Sequence, residues 1–253
     1  MNPNLPPDSL VDIHHPDAIE ARLDEAQRHS YLADGVLGAI DGAVTTFAIV
    51  SGVVGGALPG GIAVMLGVAN LLADGFSMAV SNYQGTQSER ELVEKVRKME
   101  EHHIDTVPEG EREEVRQIFR AKGFEGDLLE QVVEVITSNR KLWVDTMVAE
   151  EHGLALEPPS PVKAGLVTFV AFLVAGSVPL IPFFFYESLG VDTAFKAASV
   201  MTGGAFLAIG IAQGRILHQS LLKSGLRVLF TGGAAAMVAY YVGAWLRDTY
   251  GVI

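Results

Sequence analysis

Two aspartates stand inside long apolar runs, Asp41 between Gly35 and Ala57 and Asp74 between Gly61 and Tyr83. A carboxylate at membrane depth costs about 2.5–3.5 kcal/mol on insertion scales, so its presence marks an ion path, a proton relay or a substrate site. A second set of ligand-type residues lies in a polar stretch further on. Glu100 and His103 are three apart, Glu111 and Glu114 three apart, and Met147 and Glu151 four apart. On α-helices those spacings place both members of each pair on one face. Carboxylates with an occasional imidazole suit Mn²⁺, Fe²⁺, Co²⁺ or Zn²⁺, whereas Ca²⁺ favours all-oxygen sites. Spacing alone leaves blander readings open: a solvated acidic helix face, or, for Asp41, a carboxylate at headgroup level.

These residues are distributed over a chain of 253 residues with mean hydropathy +0.30, no cysteine and a formal net charge of −12. Five apolar runs, Gly35 to Ala57, Gly61 to Tyr83, Lys163 to Tyr186, Ala194 to Ile216 and Val228 to Leu246, each reach the roughly 20 residues that a helix needs to cross about 30 Å of hydrocarbon. The expected fold is an all-α membrane protein with five transmembrane helices and a soluble helical insert between the second and third. The corresponding divisions are a polar N-terminal tail with an amphipathic interfacial helix (1–34), helices 1–2 (35–84), the insert (85–160) and helices 3–5 (161–253). No signal peptide is expected, because the first 34 residues hold no apolar core before a cleavage site. With the N-terminus and insert in the cytosol, only Lys196 and Arg247 among the basic residues fall outside, as the positive-inside rule prefers.

In the tail, Asp17 and Glu20 resemble a capping box, and Ile19, Leu23, Ala26 and Tyr31 form an apolar stripe. Asp34, Gly38, Asp41 and Thr45 share one face of the first span; Asn70, Asp74, Met78 and Asn82 recur every four residues along the second. Polar stripes on apolar helices must face protein or water, so two of them on consecutive helices can line one path. Gly38 with Gly42, Gly52 with Gly56 and Gly210 with Gly214 have the spacing that lets helices approach closely in lipid. More than half of the 30 acidic residues lie in the insert. Helices are expected there over Ser88 to His103, Glu111 to Lys122, Asp127 to Thr137 and Lys141 to Gly153. Pro179 and Pro182 should kink or break the third span near its outer end.

Several chemistries find no residues. There is no GxxxxGK[ST] phosphate loop to drive ATP-powered pumping, and no Ser/His/Asp or Cys/His arrangement. Lacking cysteine, the chain can form no thiolate metal site or disulfide. Glu100 with His103 has the ExxH form of di-iron bundles, but a second ExxH is missing. No catalytic residue, organic cofactor or nucleic-acid partner is therefore expected. His14, His15 and His102 read as solvated, and His152 and His218 have no nameable partner.

The run Asp41-Gly42-Ala43-Val44-Thr45-Thr46-Phe47-Ala48, the step Phe76-Ser77-Met78, the segment Ile104-Asp105-Thr106-Val107-Pro108 and the segment Val178-Pro179-Leu180-Ile181-Pro182 resemble the vacuolar iron transporter family. The resemblance extends from Gly35 to Leu246. It implies five membrane-spanning helices, a cytosolic metal-binding insert, a homodimer with the path between protomers, and export of Fe²⁺ from the cytosol in exchange for protons. By position, Asp41 and Met78 match the family's pore residues, and Glu100, Glu111, Glu114, Met147 and Glu151 match its metal-binding insert positions. Two departures stand out. His103 replaces a glutamate, which shifts preference toward borderline metals. Asn70 replaces an acid while Asp74 adds one a turn later, so the coupling proton falls to Asp41 or Asp74.

Three functions follow for testing. A proton-coupled exporter of Fe²⁺, with Mn²⁺ or other first-row ions next, uses every feature above, in a bacterial inner membrane or an acidic organelle; the plain N-terminus and short length favour the bacterial-type reading. A membrane-anchored metal sensor or store would use the insert but leave Asp41 and Asp74 unexplained. An Fe²⁺-oxidising enzyme would suffer from the missing second ExxH.

Overall fold

A computed structural model describes residues 14–20, 30–217 and 219–251. Residues 16–20 form a helical turn; Leu23 and Ala26 of the expected N-terminal stripe, and His218, lie outside the described residues. The other elements, all helical, are α1 (Leu32–Gly55), α2 (Gly60–Thr106), α3 (Pro108–Ala121), α4 (Gly126–Thr137), α5 (Arg140–Thr146) continued by a π-turn (Met147–Glu151), α6 (Pro161–Ser177) continued by a 3₁₀ stretch (Val178–Phe185), α7 (Tyr186–Leu189), α8 (Val191–Ile216) and α9 (Leu221–Tyr250). Five helices are long and apolar enough to cross a membrane: Leu32–Gly55, Gly60–Thr106, Pro161–Leu189, Val191–Arg215 and Leu221–Tyr250. The chain divides into two compact units, one of residues 1–83 and 162–253 and the other Gln84–Pro161.

In the first unit the expected spans appear within a few residues of their anticipated limits. The third changes character where Pro179 and Pro182 remove backbone donors: its α-helix ends at Ser177 and tightens into the 3₁₀ stretch. The core is built from Phe47, Phe172, Leu180, Phe183 and Phe206 with small residues between them. Glycines set the packing distance. A methyl group on Gly38 would sit 2.2 Å from the carbonyl oxygen of Thr168, and one on Gly42 would sit 2.4 Å from that of Phe172. These two glycines dock α1 directly on the α6 backbone. A methyl on Gly243 would lie 2.2 Å from the Gly52 carbonyl oxygen, and one on Gly210 2.6 Å from the Gly225 Cα. The GxxxG spacings therefore serve packing within the chain.

The second unit is a small helical bundle around Val96, Val115, Val133, Trp143, Val144, Met147 and Val148. Pro108 does more than break a helix. It forces Val107 out of the α region (φ −136°, ψ 56°), which ends α2 at Thr106, and then occupies the first turn of α3, where its missing N–H is harmless. Gly123 (φ 94°) and Gly126 (φ 58°) make the next reversal, and the Asn139 side chain caps α5 by accepting from the Leu142 N–H.

Gly42→Leu should remove about 3 kcal/mol or more, because a backbone carbonyl cannot move aside as a side chain can. Gly204→Ala, with nothing within 4 Å of the added carbon, should be neutral. Thermal unfolding of the detergent-solubilised protein, followed by size-exclusion, checks both.

Candidate functional site

In the first unit, the polar stripes of α1 and α2 meet. The Thr45 hydroxyl donates to the Asp41 carbonyl oxygen at 2.9 Å and accepts from the Asn70 side-chain amide at 3.3 Å. Asp74 lies within electrostatic reach of Asp41, and Met78 packs against the core. Asp41, Thr45, Asn70, Asp74 and Met78 are all half-buried within the single chain. Toward the start of α1 on the same faces, the Asn82 amide donates to Asp34 Oδ1 at 2.8 Å and to Thr168 Oγ1 at 2.7 Å. Thr168 was not visible as a partner from sequence: it is one hydroxyl in the apolar third span, with no polar stripe to flag it.

In the second unit, most of the basic groups pair with acids. Arg97 and Lys141 hold Asp145 at 2.5 and 2.6 Å, Arg140 holds Asp105 at 2.6 Å, Arg116 holds Glu130 at 2.8 Å and also Glu113, and Lys122 holds Glu150 at 2.5 Å. The Arg140 hydrogen bond keeps Asp105 below the usual carboxylate range.

Glu100 and Glu111 are different. They are 1% and 3% exposed, and among the described residues neither pairs with a Lys or Arg. Their neighbours are imidazoles: His103 Nδ1 lies 3.3 Å from Glu111 Oε1, and His152 Nε2 lies 2.9 Å from Glu100 Oε1. The other oxygen of each carboxylate, Glu100 Oε2 and Glu111 Oε2, is buried with no hydrogen-bond partner. A buried, uncompensated carboxylate is strongly unfavourable and needs either a proton or a cation. Burial, then the negative charges of Glu114 and Glu100 and a hydrogen bond with the Glu100 carboxyl, push Glu111 up to about 7, so a proton shared between the two carboxyls is the alternative to a cation. Burial, then Glu100 and Glu114, also raise Glu151.

The geometry follows from local structure. Glu100 and His103 lie one turn apart near the end of α2, and the reversal at Pro108 brings Glu111, in the first turn of α3, back beside them. One ligand atom each from Glu100, His103 and Glu111 fall within 4.8 Å of one another, and the same holds for Glu100, Glu151 and His152. Glu114 is exposed, and its charge is felt by both Glu111 and Glu151. Met147 is fully buried in the core while Glu151 is exposed. Residues 147–151 form a π-turn, which begins at Met147 in the core and ends at Glu151 on the surface. His152 meets Glu100 across 52 residues of chain, a contact that local spacing does not announce.

Five apolar helices and a buried carboxylate–imidazole cluster define an integral membrane protein with a site suited to divalent cations. The sequence profile of the VIT family matches residues 32–244, and the chain belongs to that family. It is 35% identical over 229 residues to the vacuolar iron transporter of Toxoplasma gondii, covering 87% of this chain and 76% of that protein. It is 27% identical to the vacuolar iron transporter of Plasmodium falciparum (84% of this chain, 81% of that protein) and 30% identical to vacuolar iron transporter 1 of Arabidopsis thaliana (82% of each).

Because Glu111 is raised from 4.5 to about 7, the metal-free folded state binds a proton that the unfolded chain has released. Its contribution is present below the unfolded value and is lost as pH rises through about 7. Glu111→Gln should flatten this part of the pH–stability curve and raise the thermal midpoint of the metal-free protein at pH 8. Differential scanning fluorimetry in chelator, from pH 5 to 8, measures it.

Proposed function

We propose that the protein is a proton-coupled exporter of divalent metal ions, moving Fe²⁺, and secondarily Mn²⁺ or other first-row ions, out of the cytosol. The observation that carries this reading is the pair of buried carboxylates, Glu100 and Glu111, each with an unpartnered oxygen facing an imidazole-containing cluster. Membership of the VIT family, whose relatives in apicomplexans and plants bear the name vacuolar iron transporter, supports iron as the substrate.

In this mechanism the insert, soluble and cytosolic, collects the ion through Glu100, His103, Glu111, Glu114, Met147 and Glu151. The ion then enters a path lined by Asp41, Thr45, Asn70, Asp74 and Met78. Asp41 supplies a hard carboxylate and Met78 a soft thioether, a combination that holds Fe²⁺ without trapping it as a set of carboxylates would. Protonation of Asp41 or Asp74 from the outer side releases the ion. Asn70 keeps the Thr45 hydroxyl turned toward the Asp41 carbonyl, leaving the Asp41 carboxylate to ion and proton.

The path belongs to a homodimer. Half-buried carboxylates and amides on α1 and α2 would face hydrocarbon in an isolated chain, and a second copy laid over these helices removes that exposure. The membrane is one with cytosol on the insert side; the positive charges of Arg215, Lys223 and Arg227 support that orientation. The same topology serves a vacuole-like organelle or a bacterial inner membrane.

The test is Fe²⁺ flux into sealed proteoliposomes under an inward-acid pH gradient. Asp41→Asn should lower flux at least tenfold, and collapsing the gradient with an ionophore should do the same to the wild type. Normal flux by the variant would sink the mechanism, and metal binding without any flux by the wild type would point to a membrane-anchored store.

A further inference from the structure

We propose that His152 is itself a metal ligand, binding a divalent ion together with Glu100 and Glu151, and that this nitrogen donor biases the insert toward borderline ions such as Co²⁺ and Zn²⁺ over Mn²⁺. This rests on the reading that the insert binds metal and names the residue that sets its preference.

Geometry comes first. His152 Nε2 lies 2.9 Å from Glu100 Oε1 and 3.7 Å from Glu151 Oε2. Ligand atoms around a first-row ion at about 2.1 Å lie roughly 3–3.5 Å from one another, and one ligand atom from each of the three residues falls within 4.8 Å of the others, so side-chain adjustment closes this set on an ion. The second observation is independent of the cluster's shape. Glu100 is 1% exposed, and its Oε2 is buried without a partner, an arrangement that a cation completes and a solvated acidic face does not need.

The third observation is the backbone. The His152 N–H reaches the Met147 carbonyl oxygen at 3.3 Å, five residues back, and the Leu154 N–H reaches that of Val148 at 3.1 Å. The π-turn ends at Glu151, and in this register both Glu151 and His152 reach the Glu100 carboxylate. Since Glu100 belongs to both ligand sets, the imidazoles of His103 and His152 address one buried carboxylate. A nitrogen donor in an otherwise carboxylate site favours Co²⁺ and Zn²⁺ and leaves Mn²⁺, which prefers oxygen, the least improved.

The rival role for His152 is to support Glu100 by a hydrogen bond. The two roles need opposite tautomers: coordination uses the Nε2 lone pair, and support uses an Nε2–H. His152→Gln separates them, because a glutamine amide can donate to Glu100 but is a poor ligand for Co²⁺. The experiment titrates full-length, tag-free protein in detergent with Co²⁺, followed by its visible absorption, and with Mn²⁺ in parallel. His152→Gln should weaken Co²⁺ binding tenfold or more, change Mn²⁺ binding less than threefold, and alter the Co²⁺ spectrum. Unchanged Co²⁺ binding, or equal loss of both ions, overturns the proposal. His152→Asn is the second variant should the first fail to purify as a monodisperse species. Absence of Co²⁺ binding by the wild type overturns both this inference and the metal-collecting role of the insert. Loss of liposome flux with the Co²⁺ selectivity intact overturns transport alone.

Discussion

Carboxylates removed from bulk water must be compensated, and much of this molecule is arranged around that requirement. Across the insert the answer is ordinary: Arg97, Arg116, Lys122 and Arg140 sit on acidic partners at the surface, where each pair contributes little to stability. At Glu100 and Glu111 the compensation is withheld. Imidazoles approach one oxygen of each carboxylate, and the other oxygen is left bare. A permanent Arg partner would stabilise the metal-free fold and occupy the place of an ion. Imidazole neighbours leave that place open, at some expense to the empty protein.

The spanning unit meets a related constraint by different means. Between apolar helices in lipid there is no hydrophobic drive to associate, so stability comes from close contact. Gly38 and Gly42 let α1 rest on the carbonyls of Thr168 and Phe172, and Gly243 rests on Gly52. Such contacts fix α1 through atoms that carry no charge. Asp41 and Thr45 are then free to turn toward α2, where Asn70 meets Thr45.

Much of this organisation was legible in the sequence, for reasons that differ by element. The five spans could be read because length and hydropathy are the physical requirement itself. The 3₁₀ stretch at Val178–Phe185 followed from two prolines, and the α2–α3 reversal from one, since a missing N–H acts locally. The stripes of α1 and α2 could be read because polar groups in an apolar helix have few places to go. His152 was passed over because its partner Glu100 lies 52 residues away, a tertiary contact that local spacing does not carry. Nothing in the local composition of Met147–Glu151 announces the π-turn there, in which Met147 and Val148 pack into the bundle core. The buried state of Glu111 was equally hidden, since its α3 neighbours Arg112 and Glu113 carry ordinary surface charges.

The π-turn also bears on how such a site can arise. Each residue added to an α-helix rotates everything beyond it by about 100°, so a one-codon insertion in a helix whose core contacts hold can present a side chain that no point substitution would have moved. Ligand sets in this protein would then diverge by length changes as well as by replacement.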